Sequence, residues 1–236
     1  MSAAEAAASR RLARTWLFRA EAERASSERF RRLSRELRAV HAQPVVIEMA
    51  DQAIADETRH AALCLELARR YDPHAPHEPA HESGPVGDPS APQRDRVLHE
   101  MVSFCCIAET MNVAVLTESH RTATDPEVRA AIHEIVRDEV AHARLGWAHL
   151  SAERALGHGA SLTTALPRML RDAHAETVFA HDDHVERANV AHGEITNATM
   201  RALLPRTMRT VIFPGLELHG IDTRAATRWL DELTGS

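Results

Sequence analysis

Apolar residues recur along this chain at intervals of three, four and seven, with polar residues between them. That spacing predicts amphipathic helices. From about residue 3 to residue 40 it predicts one long helix, with Trp16, Ala20, Glu23, Ser27, Phe30 and Leu37 on one face. Glu23 is the odd member, a carboxylate on the stripe that should face a core. The stop at His41-Ala42-Gln43 precedes Pro44, a residue suited to the first turn of the next helix. A second helix, about 44–71, aligns Ala50, Ala53, Glu57, His60, Cys64, Leu67 and Tyr71.

Residues 72–93 break the pattern. Six prolines from Pro73 to Pro92, with Gly84 and Gly87, exclude a helix there and predict a long crossover. Extended, about twenty residues reach about 60 Å, enough to run the length of a bundle. His74, His77 and His81 are read as members of a solvated loop. A third helix, about 94–121, aligns Leu98, Val102, Cys105, Glu109, Asn112 and Leu116. Thr124-Asp125-Pro126 starts a fourth, with Asp125 as its cap, and Gly157 and Gly159 end it. Val128, Ile132, Ile135, Glu139, His142, Gly146 and His149 form its stripe. A fifth helix is expected over 161–192, closed by Gly193. Then come a shorter helix near 197–212, a break at Pro214-Gly215, and a terminal helix capped by Asp222. The fold class is all-α, with residues 1–160 forming a four-helix bundle and 161–236 packing on it within one domain.

Composition supports helices: aromatic residues are 4% of the chain and there are 9 glycines in 236 residues. The formal charge of −6, with mixed signs and no basic patch, argues against a nucleic-acid partner. Three cysteines, two adjacent, build neither a disulfide framework nor a four-cysteine metal module. Reduced thiols in cytoplasm are the simplest reading. No signal peptide and no membrane span are expected.

The chemistry lies in a repeated hexapeptide. Asp56-Glu57-Thr58-Arg59-His60-Ala61 and Asp138-Glu139-Val140-Ala141-His142-Ala143 both read D-E-x-x-H-A, each inside a helix. A Glu and a His three apart share a helix face and can bind one metal ion. The midpoint between Glu23 and Glu57 falls at residue 40, and that between Glu109 and Glu139 at residue 124, both at predicted turns. Each hairpin therefore sets its two acids level. Four ionised carboxylates in a core need compensation, and two divalent cations would supply it. The candidate ligands are Glu23, Glu57, His60, Glu109, Glu139 and His142. Mixed carboxylate and imidazole donors suit Fe or Mn rather than structural Zn. Asp56 and Asp138 are candidates to orient the two histidines, each on its own helix or the facing one.

Glu, ExxH, Glu, ExxH on four successive helices, with a crossover between the pairs, resembles the ferritin-like di-iron carboxylate superfamily, a layout shared by such bundles. It is also similar to small bacterial ferritin-like domain proteins of unassigned activity. The resemblance covers about residues 14–156. It implies that Glu57 and Glu139 bridge two Fe ions (Mn or mixed Mn/Fe being the alternative) while Glu23 and Glu109 are terminal and His60 and His142 cap one ion each. Glu21 and Glu28 are alternatives to Glu23, but both leave the Trp16–Phe30 stripe. The implied activity is that of an O2-dependent non-haem di-iron oxidase or oxygenase acting on a small organic substrate, supported by an electron donor. The alternative is a ferroxidase, iron-handling or peroxide-detoxifying protein. The reading leaves a homodimer open.

Further residues refine this choice. The one tyrosine, Tyr71, lies eleven residues beyond His60, about 16 Å along the helix, too far for a radical beside the metals. His174, His181 and His184 form a stripe on the fifth helix, read as solvated, with a third imidazole ligand or a substrate contact as the alternative. Cys64, Val102, Cys105, Asn112 and Ile135 lie within about a turn of the ligands and are candidates to line the site, the cysteines chiefly as packing.

Overall fold

The computed structural model describes residues 3–76, 84, 87–176 and 187–234, and all regular structure among them is helical. Four long rods form the bundle: α1 (Ala3–Ala39), α2 (Pro44–Tyr71), α3 (Gln93–Thr122) and α4 (Pro126–Ala155). α5 (Leu162–Glu176) and the short α6 (Arg187–Val190) follow. α7 joins Asn197–Thr207, a π-helical Met208–Ile212 and Phe213–Leu218; α8 is Arg224–Thr234.

The turns form for local reasons. His41 takes a left-handed conformation (φ 53°), and the Ala42 N–H closes on Leu37 O at 2.9 Å. Asp125 caps α4 by accepting from the N–H groups of Glu127 and Val128, with Pro126 in the first turn. Two sets of contacts establish the crossover. Arg70, at the end of α2, donates to Asp125 at 2.8 and 2.7 Å, while Arg94, at the start of α3, donates to Val40 O. The α2–α3 connection therefore runs from one end of the bundle to the other.

The core is layered along the bundle. Phe30, Leu33, Leu37, Val46, Ala50, Met101, Phe104 and Leu145 fill the end near the α1–α2 turn. Trp16, Ala20, Cys64, Leu116, Val128, Ile132 and Ile135 fill the other end. The acidic motif residues lie in sequence between these layers. A third cluster packs Leu162, Leu166, Met169 and Leu170 of α5 and Leu203, Leu204 and Met208 of α7 against Leu98, Val102, Cys106, Ile107 and Met111 of α3. The C-terminal helices thus cover the outer side of α3. α3 is long and apolar enough to cross a membrane by length and composition, but 72% of its most apolar window is buried inside the protein.

Two details differ from the sequence pattern. α3 carries a π-helical stretch, Val102–Glu109, which periodicity does not signal. The expected break at Pro214-Gly215 is not one. Pro214 sits in the first turn of Phe213–Leu218, directly after a π-helical stretch, where its missing N–H is tolerated. Gly215 is small for packing: a Cβ there would lie 2.8 Å from the Trp147 ring. The chain breaks instead at Gly220 (φ 70°), and Asp222 then accepts from the Arg224 N–H at 2.9 Å. The expected fifth helix is described only as α5 and α6. His77, His81, His181 and His184 lie outside the described residues, as does the side chain of His174. His74 is exposed, its N–H bonded to Asp72.

Candidate metal centre

Each of the four rods delivers carboxylate to one level of the bundle. α2 and α4 contribute Glu57 with His60 and Glu139 with His142, each pair three residues apart on the buried face. α1 contributes Glu23, and α3 contributes Glu109 at the last residue of its π-helical stretch. Glu21 is exposed, and Glu28 turns outward to Arg31. The six expected residues converge as two overlapping groups. Glu23, Glu57, His60 and Glu139 form one; Glu57, Glu109, Glu139 and His142 form the other, with the ligand atoms of each group within 4.8 Å of one another. Glu57 and Glu139 belong to both.

Apart from a hydrogen bond between His142 Nδ1 and Glu139, the donor atoms stand apart around a common space. His60 Nδ1 lies 3.7 Å from Glu23, 3.8 Å from Glu57 and 3.6 Å from Glu139. His142 Nδ1 lies 3.2 Å from both Glu57 and Glu139. Both Glu57 oxygens, Glu139 Oε1 and His60 Nδ1 are sealed from solvent without a hydrogen-bond partner. Such groups cost several kcal/mol unless something pairs with them. A cation held at about 2 Å from each donor meets that requirement, so the residues fit a metal ion.

Without a cation, protons balance the buried charge. Burial raises Glu23 and Glu109 well above the usual carboxylate range, and the charges of Glu57 and Glu139 add to the effect. Burial opposes charge on His60, yet Glu139, Glu23 and Glu57 push it up to about 12. His142 moves the same way: burial is outweighed by Asp56, Glu139 and Glu57. For Glu139, burial is outweighed by hydrogen bonding to His142 and His60, which hold it at about 2. Imidazolium and carboxyl protons thus take the place that a metal's charge would fill.

The two aspartates act crosswise. Asp138 of α4 faces His60 Nε2 at 3.3 Å, and Asp56 of α2 faces His142 Nε2 at 3.6 Å. Asp138 is within hydrogen-bond reach of His60 Nε2, whereas His142 Nε2 faces Asp56 without a hydrogen bond; in both cases the aspartate stands behind the histidine of the facing helix, whose Nδ1 turns to the centre. Sequence reasoning passed over Arg59, which donates to both aspartates and to Glu134 at 3.1 Å. Its signal is its place inside the first hexapeptide, where the second has Ala141. Gly146, on the α4 stripe, is where that helix comes close to α3. A Cβ there would lie 2.6 Å from Cys105 Cβ and 2.7 Å from Cys106 N, so this glycine lets α4 approach the π-helical stretch that ends in Glu109. Cys64, Val102, Cys105 and Ile135 are buried and Asn112 partly so; burial raises both thiols well above their ordinary value, as expected of packing cysteines. Tyr71 donates to or accepts from His192 Nδ1 at 2.9 Å, at the end of α2.

The protein is thus an all-helical bundle with buried Glu and His clusters able to hold metal, an arrangement compatible with a ferritin-like fold. Comparisons with protein-family models, curated proteins and solved structures give no match.

Proposed function

We propose that this chain is a non-haem di-iron oxidase or oxygenase of the ferritin-like carboxylate kind, using O2 to oxidise a small organic molecule. The observation that carries the reading is the sharing of Glu57 and Glu139 between two buried ligand groups. Glu23 and His60 would complete one ion's set, Glu109 and His142 the other's. A ferrous pair there would supply two electrons to O2, one from each ion. Six protein donors leave coordination positions for O2 and substrate, the condition for a catalytic rather than a structural site. Asp138 and Asp56 would orient the imidazoles, and the apolar layers of Phe30 and Trp16 pack on either side of the ligands. The same donors accept Mn or a mixed Mn/Fe pair.

The test is to load the protein anaerobically with Fe2+, add O2, and follow its consumption in an oxygen electrode together with assembly size by gel filtration. Iron-dependent O2 uptake, accelerated by particular organic compounds in a small assembly, is the expected result. A large hollow particle that accumulates ferric mineral would overturn it in favour of iron storage.

A further inference from the structure

Arg59 is a residue of the first hexapeptide that the second does not repeat, since Ala141 stands at the equivalent place. From α2 it reaches across to α4. Its Nη2 donates to Asp56 Oδ1 at 2.9 Å and to Asp138 Oδ2, while Nε donates to Glu134 at 3.1 Å. One guanidinium therefore ties together the two carboxylates that stand behind His142 and His60. Its planar fork holds several acceptors at fixed angles, which an ammonium group does not.

The two aspartates depend on Arg59 unequally. Asp56 Oδ1 also accepts from Gln52, one turn earlier on the same helix, at 2.9 Å, and Oδ2 faces His142 Nε2 at 3.6 Å without a hydrogen bond. For Asp138 the second donor is Arg137, which reaches Oδ1 at 3.1 Å with a side chain that is 66% exposed. So exposed an ion pair fixes little. The oxygen of Asp138 that Arg59 holds is Oδ2, the same atom that lies 3.3 Å from His60 Nε2. Arg59 and His60 are consecutive on α2, so two neighbouring donors converge on one oxygen of the facing helix. Removing Arg59 should leave Asp56 anchored by Gln52 and free Asp138 to swing away from His60.

We propose that Arg59 is a positioning residue for the Glu23–His60 half of the centre. It sets Asp138 against His60 Nε2, and so keeps Nδ1 of that imidazole turned to Glu23, Glu57 and Glu139. The Glu109–His142 half depends on it far less. This role presupposes the proposed metal pair and assigns Arg59 to one of its two ions. It differs from that of a plain strut between α2 and α4, which the contact with Glu134 would serve.

The experiment uses Co2+ as the probe, because carboxylate and imidazole donors accept it and it shifts the ring N–H proton of a bound histidine out of the ordinary NMR range. Calorimetric titration and proton NMR are run on the unaltered protein and on Arg59→Met, Arg59→Lys, Glu134→Gln and Glu23→Ala, the last identifying the equivalent that belongs to the Glu23 half. Arg59→Met should weaken that equivalent by about 10- to 100-fold, leave the other nearly unchanged, and lose one shifted N–H signal to faster exchange with water. Arg59→Lys, which keeps the charge without the fork, should fall between, and Glu134→Gln should match the unaltered protein. Equal weakening of both equivalents, weakening of the one that Glu23→Ala retains, or an equal loss in Glu134→Gln overturns the proposal. Two equivalents bound with the same titration in Arg59→Met overturns it and leaves the metal reading standing. An unaltered protein that takes up no Co2+ overturns the metal reading and this proposal with it.

Discussion

The two halves of the centre offer the same donors in different surroundings. Glu23 comes from a regular stretch of α1, and its side chain remains 12% exposed. Its counterpart Glu109 ends a π-helical stretch, is 3% exposed, and is backed by the close approach at Gly146. Arg59 has no counterpart in the second hexapeptide, yet this one guanidinium touches both aspartates. A near-symmetric ligand set is thus built on an asymmetric support. The Glu109 half is the more deeply buried, whereas the Glu23 side chain keeps a small exposed area. Exchange with solvent and entry of small molecules should therefore occur on the Glu23 side.

Removing a shared ligand should have the largest effect, because it strikes both halves. Glu57→Ala or Glu139→Ala should abolish binding of both ions while circular dichroism remains helical; retention of one full equivalent of iron would show that the halves do not share these groups. Glu109→Ala is expected to lose one ion and the O2-consuming activity and to keep the fold, since a strongly disfavoured buried carboxylate disappears with it. An active variant would remove Glu109 from the site.

Gly146→Ala tests the support directly. A methyl group forced against the backbone of the π-helical stretch should destabilise the protein by about 1–3 kcal/mol and weaken the ion at Glu109 before that at Glu23. Thermal melts and stepwise iron titration separate these outcomes, and an unchanged titration would mean that the stretch does not position its glutamate. The smallest effect is on pH. Glu23, Glu109, His60 and His142 are all raised, so they hold protons near neutrality that a metal must displace. Loading should release protons into weak buffer, and affinity should rise with pH by about tenfold per unit for each proton released. Loading without acidification would contradict the proton-held balance.

Much of this was legible in the sequence because helices carry a period and turns carry their own residues. The limits of the four rods follow from the apolar stripe, from Pro44, and from Asp125-Pro126, and the heights of the four glutamates follow from counting to those turns. Three features carry no such period. A π-helical stretch leaves the composition of α3 unchanged and shows itself only when Cys105 meets Gly146 across the interface. Gly215 has the appearance of a breaker until Trp147 is placed against it. The crossed pairing of Asp56 with His142 and Asp138 with His60 depends on how α2 faces α4, which neither helix encodes alone.

The most direct measurement is equilibrium dialysis of the metal-free protein against Fe2+ under anaerobic conditions, with iron counted per chain. Two equivalents bound at a site containing Glu57 and Glu139 is the result that the proposed di-iron reading predicts. Saturation at one equivalent, or no binding above that of an unrelated helical protein, would contradict it.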